Sequence, residues 1–219
     1  TPAEIQAIVD AYNKVLAAAD GTDGNAAAAP TAGDYAAVGV TGTTDASAKL
    51  LSDMVDGLAA TAVDTVAELQ ALADAAKAAV DYTGAAGQTA PTAEQLNAIA
   101  GGAGVTADNL AAVQAAVAAA NADGTPVTQA ELAKIVADIT AAAAGIGQFA
   151  QDNSTGLANA TGTAPVTGDY TKAGVTGVTT GNVAAINDVL ASKAVDGAAA
   201  DTPAEIQAIV DAYNKVLAA

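Results

Sequence analysis

Apolar residues in the opening stretch fall at Ile5, Ile8, Val9, Tyr12, Val15 and Leu16. This is the i, i+3, i+4, i+7 rhythm that gathers one face of an α-helix. Thr1 and Glu4 stand three apart, the spacing of a capping box, in which hydroxyl and carboxylate each satisfy a free amide of the first turn. Pro2 occupies the first helical position, where a missing amide costs nothing. Gly21 is placed to stop the chain in the left-handed conformation. The pattern predicts an amphipathic helix of four turns, about 25 Å long.

The same pattern returns. TPAEIQAIVDAYNKVL from Thr1 is followed by TVAELQALADAAKAAV from Thr65 and TQAELAKIVADITAAA from Thr128. The eighteen residues from Thr202 to Ala219 repeat Thr1 to Ala18 without a change. The spacings are 64, 63 and 74 residues, so the full period is 201.

A second signature alternates with the first. GDYAAVGVTGTT runs from Gly33 and GDYTKAGVTGVTT from Gly168; EQLNAIAGGAGVT from Glu94 is a weaker relative with four extra residues before its GVT. Proline lies five residues before Tyr35, Leu96 and Tyr170. Each copy reads as a short helix ended by glycine (Gly39, Gly174), a GVTG turn, and a threonine capping a second long helix. Those second helices are expected over Asp45–Ala60, Ala107–Asn121 and Gly181–Ser192. The fold class is therefore all-α: tandem small three-helix-bundle repeats joined end to end and elongated. The units are 1–64, 65–127 and 128–201, and 202–219 is the first helix of a further unit. Its exact return implies duplication of a three-unit block. A unit this small buries little surface alone, and stacking on neighbours is the usual remedy.

Composition narrows the options. More than half the residues are hydrophobic, but most of these are alanine, which contributes roughly 0.8 kcal/mol per buried methyl and favours helix. Phe149 is the one phenylalanine, and tryptophan, cysteine, histidine and arginine are absent. Seven lysines against 24 acids leave a net charge of −17. Such a surface repels phosphates and anionic lipid, so neither nucleic acid nor a membrane surface is expected as partner. The apolar run Leu110–Ala120 is too short to span a bilayer. The single methionine, Met54, and an opening without a leader read as a piece of a longer chain whose secretion signal lies elsewhere.

Candidate chemistry is sparse. A nucleophile would have to be serine or threonine with a lysine or carboxylate base, and Ser47, Ser52, Ser154 and Ser192 do not recur in matching places. No enzyme activity, cofactor or small-molecule substrate is expected, and no catalytic or metal residue is assigned. Calcium is the one ion to consider, because Asp20–Asn25 and Asn121–Thr125 gather oxygen ligands. Neither fits the EF-hand spacing, and Asp-Gly is an ordinary turn former. Tyr35 and Tyr170 read as packing residues with the hydroxyl at the rim, or else as an exposed contact patch. The threonines around GVTG lack the regular spacing of an ice-binding array.

The DYxxxGVTG stretches and the N[VL]AA[VI] segments at Asn109–Val113 and Asn182–Ile186 resemble the Ala/Thr-rich helical repeat regions of giant bacterial surface adhesins, including acidic proteins exported by type I (RTX-type) secretion. Asp34-Tyr35 and Asp169-Tyr170 give a weaker likeness to albumin-binding-type three-helix surface modules. The adhesin resemblance implies an extracellular, cell-surface location and a structural role, as stalk, spacer or building block of a fibre or surface layer. Neighbouring repeats are the expected partners. Two alternatives stay open: an adhesive module that binds a host protein or glycan through an exposed helix face, and a self-associating filament subunit whose duplicated end helices compete for one docking site.

Overall fold

The computed structural model describes residues 1–22, 24, 29–102, 104–155 and 162–218. Among them the fold is all-α, with ten α-helices and no strand. The helices are α1 (Pro2–Ala18), α2 (Ala32–Ala37), α3 (Asp45–Asp56), α4 (Val66–Asp81), α5 (Ala93–Ile99), α6 (Leu110–Ala120), α7 (Gln129–Asp152), α8 (Thr167–Lys172), α9 (Val183–Leu190) and α10 (Pro203–Leu217).

Two compact units emerge, one comprising Thr1–Gly104 with Val117–Ala133, the other Val105–Ala116 with Lys134–Ala219. The repeat starts at Thr65, Thr128 and Thr202 lie at helix N-termini, and α6 and α7 each contribute to both units. In the first unit α1 packs on α2 and α3, α3 on α4, and α4 on α5. Its buried side chains include Tyr35, Leu51, Met54, Leu69, Leu96 and Ile99. In the second, Ile146, Phe149, Tyr170, Ile186, Leu190, Ile206 and Val210 share one cluster.

The helix starts follow the sequence closely. Capping boxes close α1 (Thr1/Glu4), α4 (Thr65/Glu68) and α10 (Thr202/Glu205). At α7, Thr128 N donates to Glu131 Oε2 at 2.9 Å and Glu131 N to Thr128 Oγ1 at 3.2 Å. The short helices α2 and α5 carry boxes of their own, Thr31/Asp34 and Thr92/Gln95. Such a cap stabilises a helix by about 1 kcal/mol, which matters most for α2 and α5, only 6 and 7 residues long.

Helix lengths depart from the sequence reading. α3 stops at Asp56, with Gly57 as its cap, where a run to Ala60 was expected. α6 and α9 start later than predicted, at Leu110 and Val183. α1 ends at Ala18 through Ala19 (φ −83°), and Gly21 enters the left-handed region two residues further on (φ 80°). α7 is the largest difference, at 24 residues. Gly145 and Gly147 lie in the body of α7. A Cβ on Gly147 would sit 2.9 Å from Asp201 Cα, so close backbone approach requires the glycine. By length and composition α7 could cross a membrane, unlike the shorter run noted in the sequence. Its Leu132, Val136, Ile139, Ala143, Ile146 and Ala150 are buried at helical spacing, while Lys134 and Asp138 pair on the exposed side.

Candidate functional site

Two recurring devices tie the short helices α2 and α8 to their neighbours. The first centres on the tyrosines. Tyr35 and Tyr170 are both fully buried, hydroxyl included, which corrects the placement of those hydroxyls at the rim and takes both rings off the surface. Tyr35 Oη lies 3.1 Å from Ser52 Oγ, which donates to the Pro30 carbonyl at 2.7 Å. Tyr170 donates to Asn187 Oδ1 at 2.5 Å, and Asn187 Nδ2 donates to the Pro165 carbonyl at 2.8 Å. One buried polar side chain on the long helix thus satisfies both the phenol and the proline carbonyl, as an interior site requires. Desolvation pushes Tyr35 up to about 12 and raises Tyr170 as well, because burial disfavours phenolate.

The second device reads the GVTG turn. Gly39 and Gly174 have φ 98° and 75°, a conformation glycine adopts without strain. Val40 and Val175 amides then return to the Tyr35 and Tyr170 carbonyls at 3.0 and 2.9 Å. The Thr41 peptide is gripped by the Gln70 amide of α4, with N–H to Oε1 at 2.8 Å and Nε2–H to the carbonyl at 3.1 Å. Gln207 of α10 holds Thr176 the same way, at 2.7 and 3.2 Å. Asn214 adds a bond from Nδ2 to the Gly177 carbonyl at 3.0 Å.

The middle repeat differs in a way that explains its sequence. Thr106 N donates to Asn109 Oδ1 at 2.8 Å, as Thr179 N does to Asn182 Oδ1 at 2.6 Å and Thr44 N to Ser47 Oγ at 2.9 Å. The threonine of the middle GVT therefore opens the long helix and is not the turn residue. From Leu96 to this cap the chain is one residue longer than from Tyr35 to Thr44.

The opening helix and its copies show where these devices are filled. At the register of Ile5 stand Leu69 in α4 and Ile206 in α10, both buried. At the register of Val9 stand Ala73 and Val210, also buried. In α1 itself Ile5, Ile8 and Val9 are 65%, 49% and 44% exposed. The far half is reversed: Val15 and its α4 counterpart Ala79 are buried, while Val216 and Leu217 in α10 are 75% and 62% exposed. Identical sequences thus bury complementary halves at the two ends of the chain.

The serines and the acidic loops take part in local hydrogen bonds. Ser47 closes the capping box of α3 on Thr44, Ser154 Oγ donates to the Gln151 carbonyl at 2.9 Å, and Ser192 Oγ accepts from Ala194 N at 3.3 Å. In the Asn121–Thr125 loop, Asn121 Nδ2 donates to the Ala79 and Tyr82 carbonyls, each at 2.8 Å, and its Oδ1 accepts from Val127 N at 2.8 Å. Asp123 accepts from Thr125 N, the bond of an ordinary Asx turn. In the other acidic loop Asp20 accepts from Thr22 N at 2.9 Å, and Asp23 and Asn25 lie outside the described residues.

One acidic pair stands out. Asp53 and Asp56, three apart on α3, line a 390 Å³ hollow in the first unit with Gly24, Gly101 and Gln129. Asp56 is buried, takes the Gly24 amide on Oδ2 at 2.5 Å, and has no partner on Oδ1 among the described residues. Burial raises the Asp53 pKa, and the Asp56 charge adds to it. Among the described residues no group of three or more acidic side chains gathers in metal-ligating geometry. A further hollow of 530 Å³ in the second unit is lined by Asp138, Ala142, Ile146, Pro165, Asp169 and Lys172. No protein-family model, curated protein or solved structure matches the chain.

Proposed function

We propose that the chain is a structural segment of a large secreted bacterial surface protein, built from small three-helix units in an elongated row, that acts as a stalk or spacer. It would serve equally as a building block of an extracellular fibre or surface layer. The observation carrying this reading is the pair of identical end helices, one with its first half open and the other with its second half open. A helix shared between successive repeats has this form, and α4 carries both halves buried at once. In such an array stability comes from each repeat plus its interface with the next. The charge of −17 discourages non-specific collapse and tangling.

The adhesive alternative loses Tyr35 and Tyr170 as a surface contact patch, since both are buried. The stalk is therefore the reading we retain. Its location is the bacterial cell surface, and it calls for no cofactor, nucleic acid or small-molecule substrate.

Small-angle scattering of the monomer tests this. A compact globule of this length has a radius of gyration of about 17 Å. Three units in a row, each about 25–30 Å long, give about 25 Å. The larger value is expected, and the smaller one would overturn the stalk.

A further inference from the structure

We propose that the open face of α1 is a docking surface for a second copy of this chain, and that α1 of one copy enters the seat held by α10 in another. The occupant follows from the chain itself. α10 has the same eighteen-residue sequence as the opening stretch. Its seat is visible: Ile206 and Val210 are buried in the cluster of Tyr170, Val175, Ile186 and Leu190, with Ile209 and Tyr213 at its margin. Every side chain that makes this contact recurs in α1, where Pro2, Ile5, Ile8 and Val9 are exposed while Pro203, Ile206 and Val210 are buried.

The polar contacts transfer too. Gln207 grips the Thr176 peptide and bonds Asp211 at 2.8 Å. Gln6 makes the same bond to Asp10 at 2.8 Å and grips no turn among the described residues. Asn214 meets Asn182 Nδ2 at 2.9 Å and the Gly177 carbonyl at 3.0 Å, and its copy Asn13 is exposed.

Occupying the seat does not require α1 to leave its own unit. α1 holds α2 and α3 through Ala11, Val15 and Ala18, the half that α10 leaves free. α4 packs on α3 and on α5 together, so a helix at this register can serve both neighbours. The exchange is heterologous, head of one copy to tail of the next, and generates open chains or closed rings. It replaces one set of contacts by the same set. The tethered α10 has the advantage of high effective concentration, so the monomer dominates in dilute solution and association grows with concentration or when α10 is weakened. The proposal needs only the identity of the two helices. It would hold for a compact monomer, so its failure and that of the stalk are read separately.

The test uses the full chain with Ile206→Asp and Val210→Asp, which loosen α10 and leave α1 intact. Sedimentation velocity over a concentration series should show oligomers where the parent chain is monomeric. Adding Ile5→Asp and Val9→Asp to the same chain should return it to monomer. Excess peptide Thr1–Ala18 should also dissolve the oligomers by filling the seat. Oligomers that survive both treatments would mean non-specific association and overturn the proposal, as would a variant that stays monomeric with helicity intact. A second measurement guards against collapse of the weakened unit. Fluorescently labelled Thr1–Ala18 peptide, incubated with the unsubstituted chain, should gain anisotropy slowly as it exchanges with α10. The Ile5→Asp peptide should not, and equal behaviour of the two peptides would also overturn the proposal.

Discussion

Tyr170 and Asn187 meet in the interior of the second unit, phenol to amide oxygen at 2.5 Å, while the other end of the same amide holds the Pro165 carbonyl. Tyr35 and Ser52 make the corresponding pair in the first unit at 3.1 Å. The two pairs differ in what remains when the phenol oxygen is removed. Tyr170→Phe strands a buried amide oxygen, which costs about 1–3 kcal/mol. Tyr35→Phe leaves Ser52 still donating to Pro30 and should cost about 1 kcal/mol or less. Urea unfolding of the two variants, each compared with the parent, checks the order.

The same tyrosines set an alkaline limit. Their pKa values are raised in the fold, Tyr35 to about 12, because desolvation favours the neutral phenol. A group raised in the folded state contributes fully below its unfolded pKa, about 10 for tyrosine, and loses that contribution as pH climbs towards the folded value. The melting temperature should therefore fall between pH 10 and 12, and absorbance near 295 nm should show tyrosinate appearing together with unfolding. Tyr35→Phe should flatten the decline in the first unit.

At the acid end the sign reverses for Asp34. Lys14 Nζ lies 2.6 Å from its carboxylate, which also accepts from Thr31 N and Thr31 Oγ1, each at 2.8 Å, and this holds its pKa below the usual value. Its contribution is present above the unfolded carboxylate pKa and fades as pH drops through the folded one. Lys14→Met should reduce stability at pH 7, and the difference from the parent should shrink as pH is lowered. Parallel thermal melts would show it.

Gly174 has the least tolerance for a side chain. A Cβ there would lie 2.3 Å from Ala112 Cβ, on a backbone with φ +75°. Gly174→Ala combines overpacking with left-handed strain and should cost about 3 kcal/mol or more. Gly87→Ala has similar φ (+86°) but open space around it, and should cost only the strain, about 1–2 kcal/mol. Urea midpoints of the two variants separate the contributions.

Local chemistry was legible in the sequence, and distant reciprocity was not. Thr1/Glu4 and its copies gave the helix starts, because a capping box is complete within four residues. Gly39 and Gly174 marked the turns for the same reason. Ser52 and Asn187 were not recognisable as counterparts, since two different side chains do one job and only the buried phenol and proline carbonyl define it. Gln70 and Gln207 bond turns 29 and 31 residues away, a relation that periodicity does not encode. α7 runs well beyond the four turns that the repeat predicts, and the tertiary contact that needs Gly147 lies far along the chain at Asp201. The complementary burial of the end helices is the clearest case: identical letters cannot reveal which half is covered.

The central claim is that the opening sequence is a two-sided joint, open on opposite halves at the two ends. Four single substitutions in urea unfolding test it with sequence context matched: Ile5→Ala, Ile206→Ala, Val15→Ala and Val216→Ala. Helix propensity is common to each pair, so any difference reports burial. The account predicts that Ile206→Ala destabilises its unit by about 2 kcal/mol or more, and Ile5→Ala by no more than about 0.5 kcal/mol. For the valines the order is opposite, with Val15→Ala costing more than Val216→Ala. Equal losses at matched positions of the two ends would contradict it.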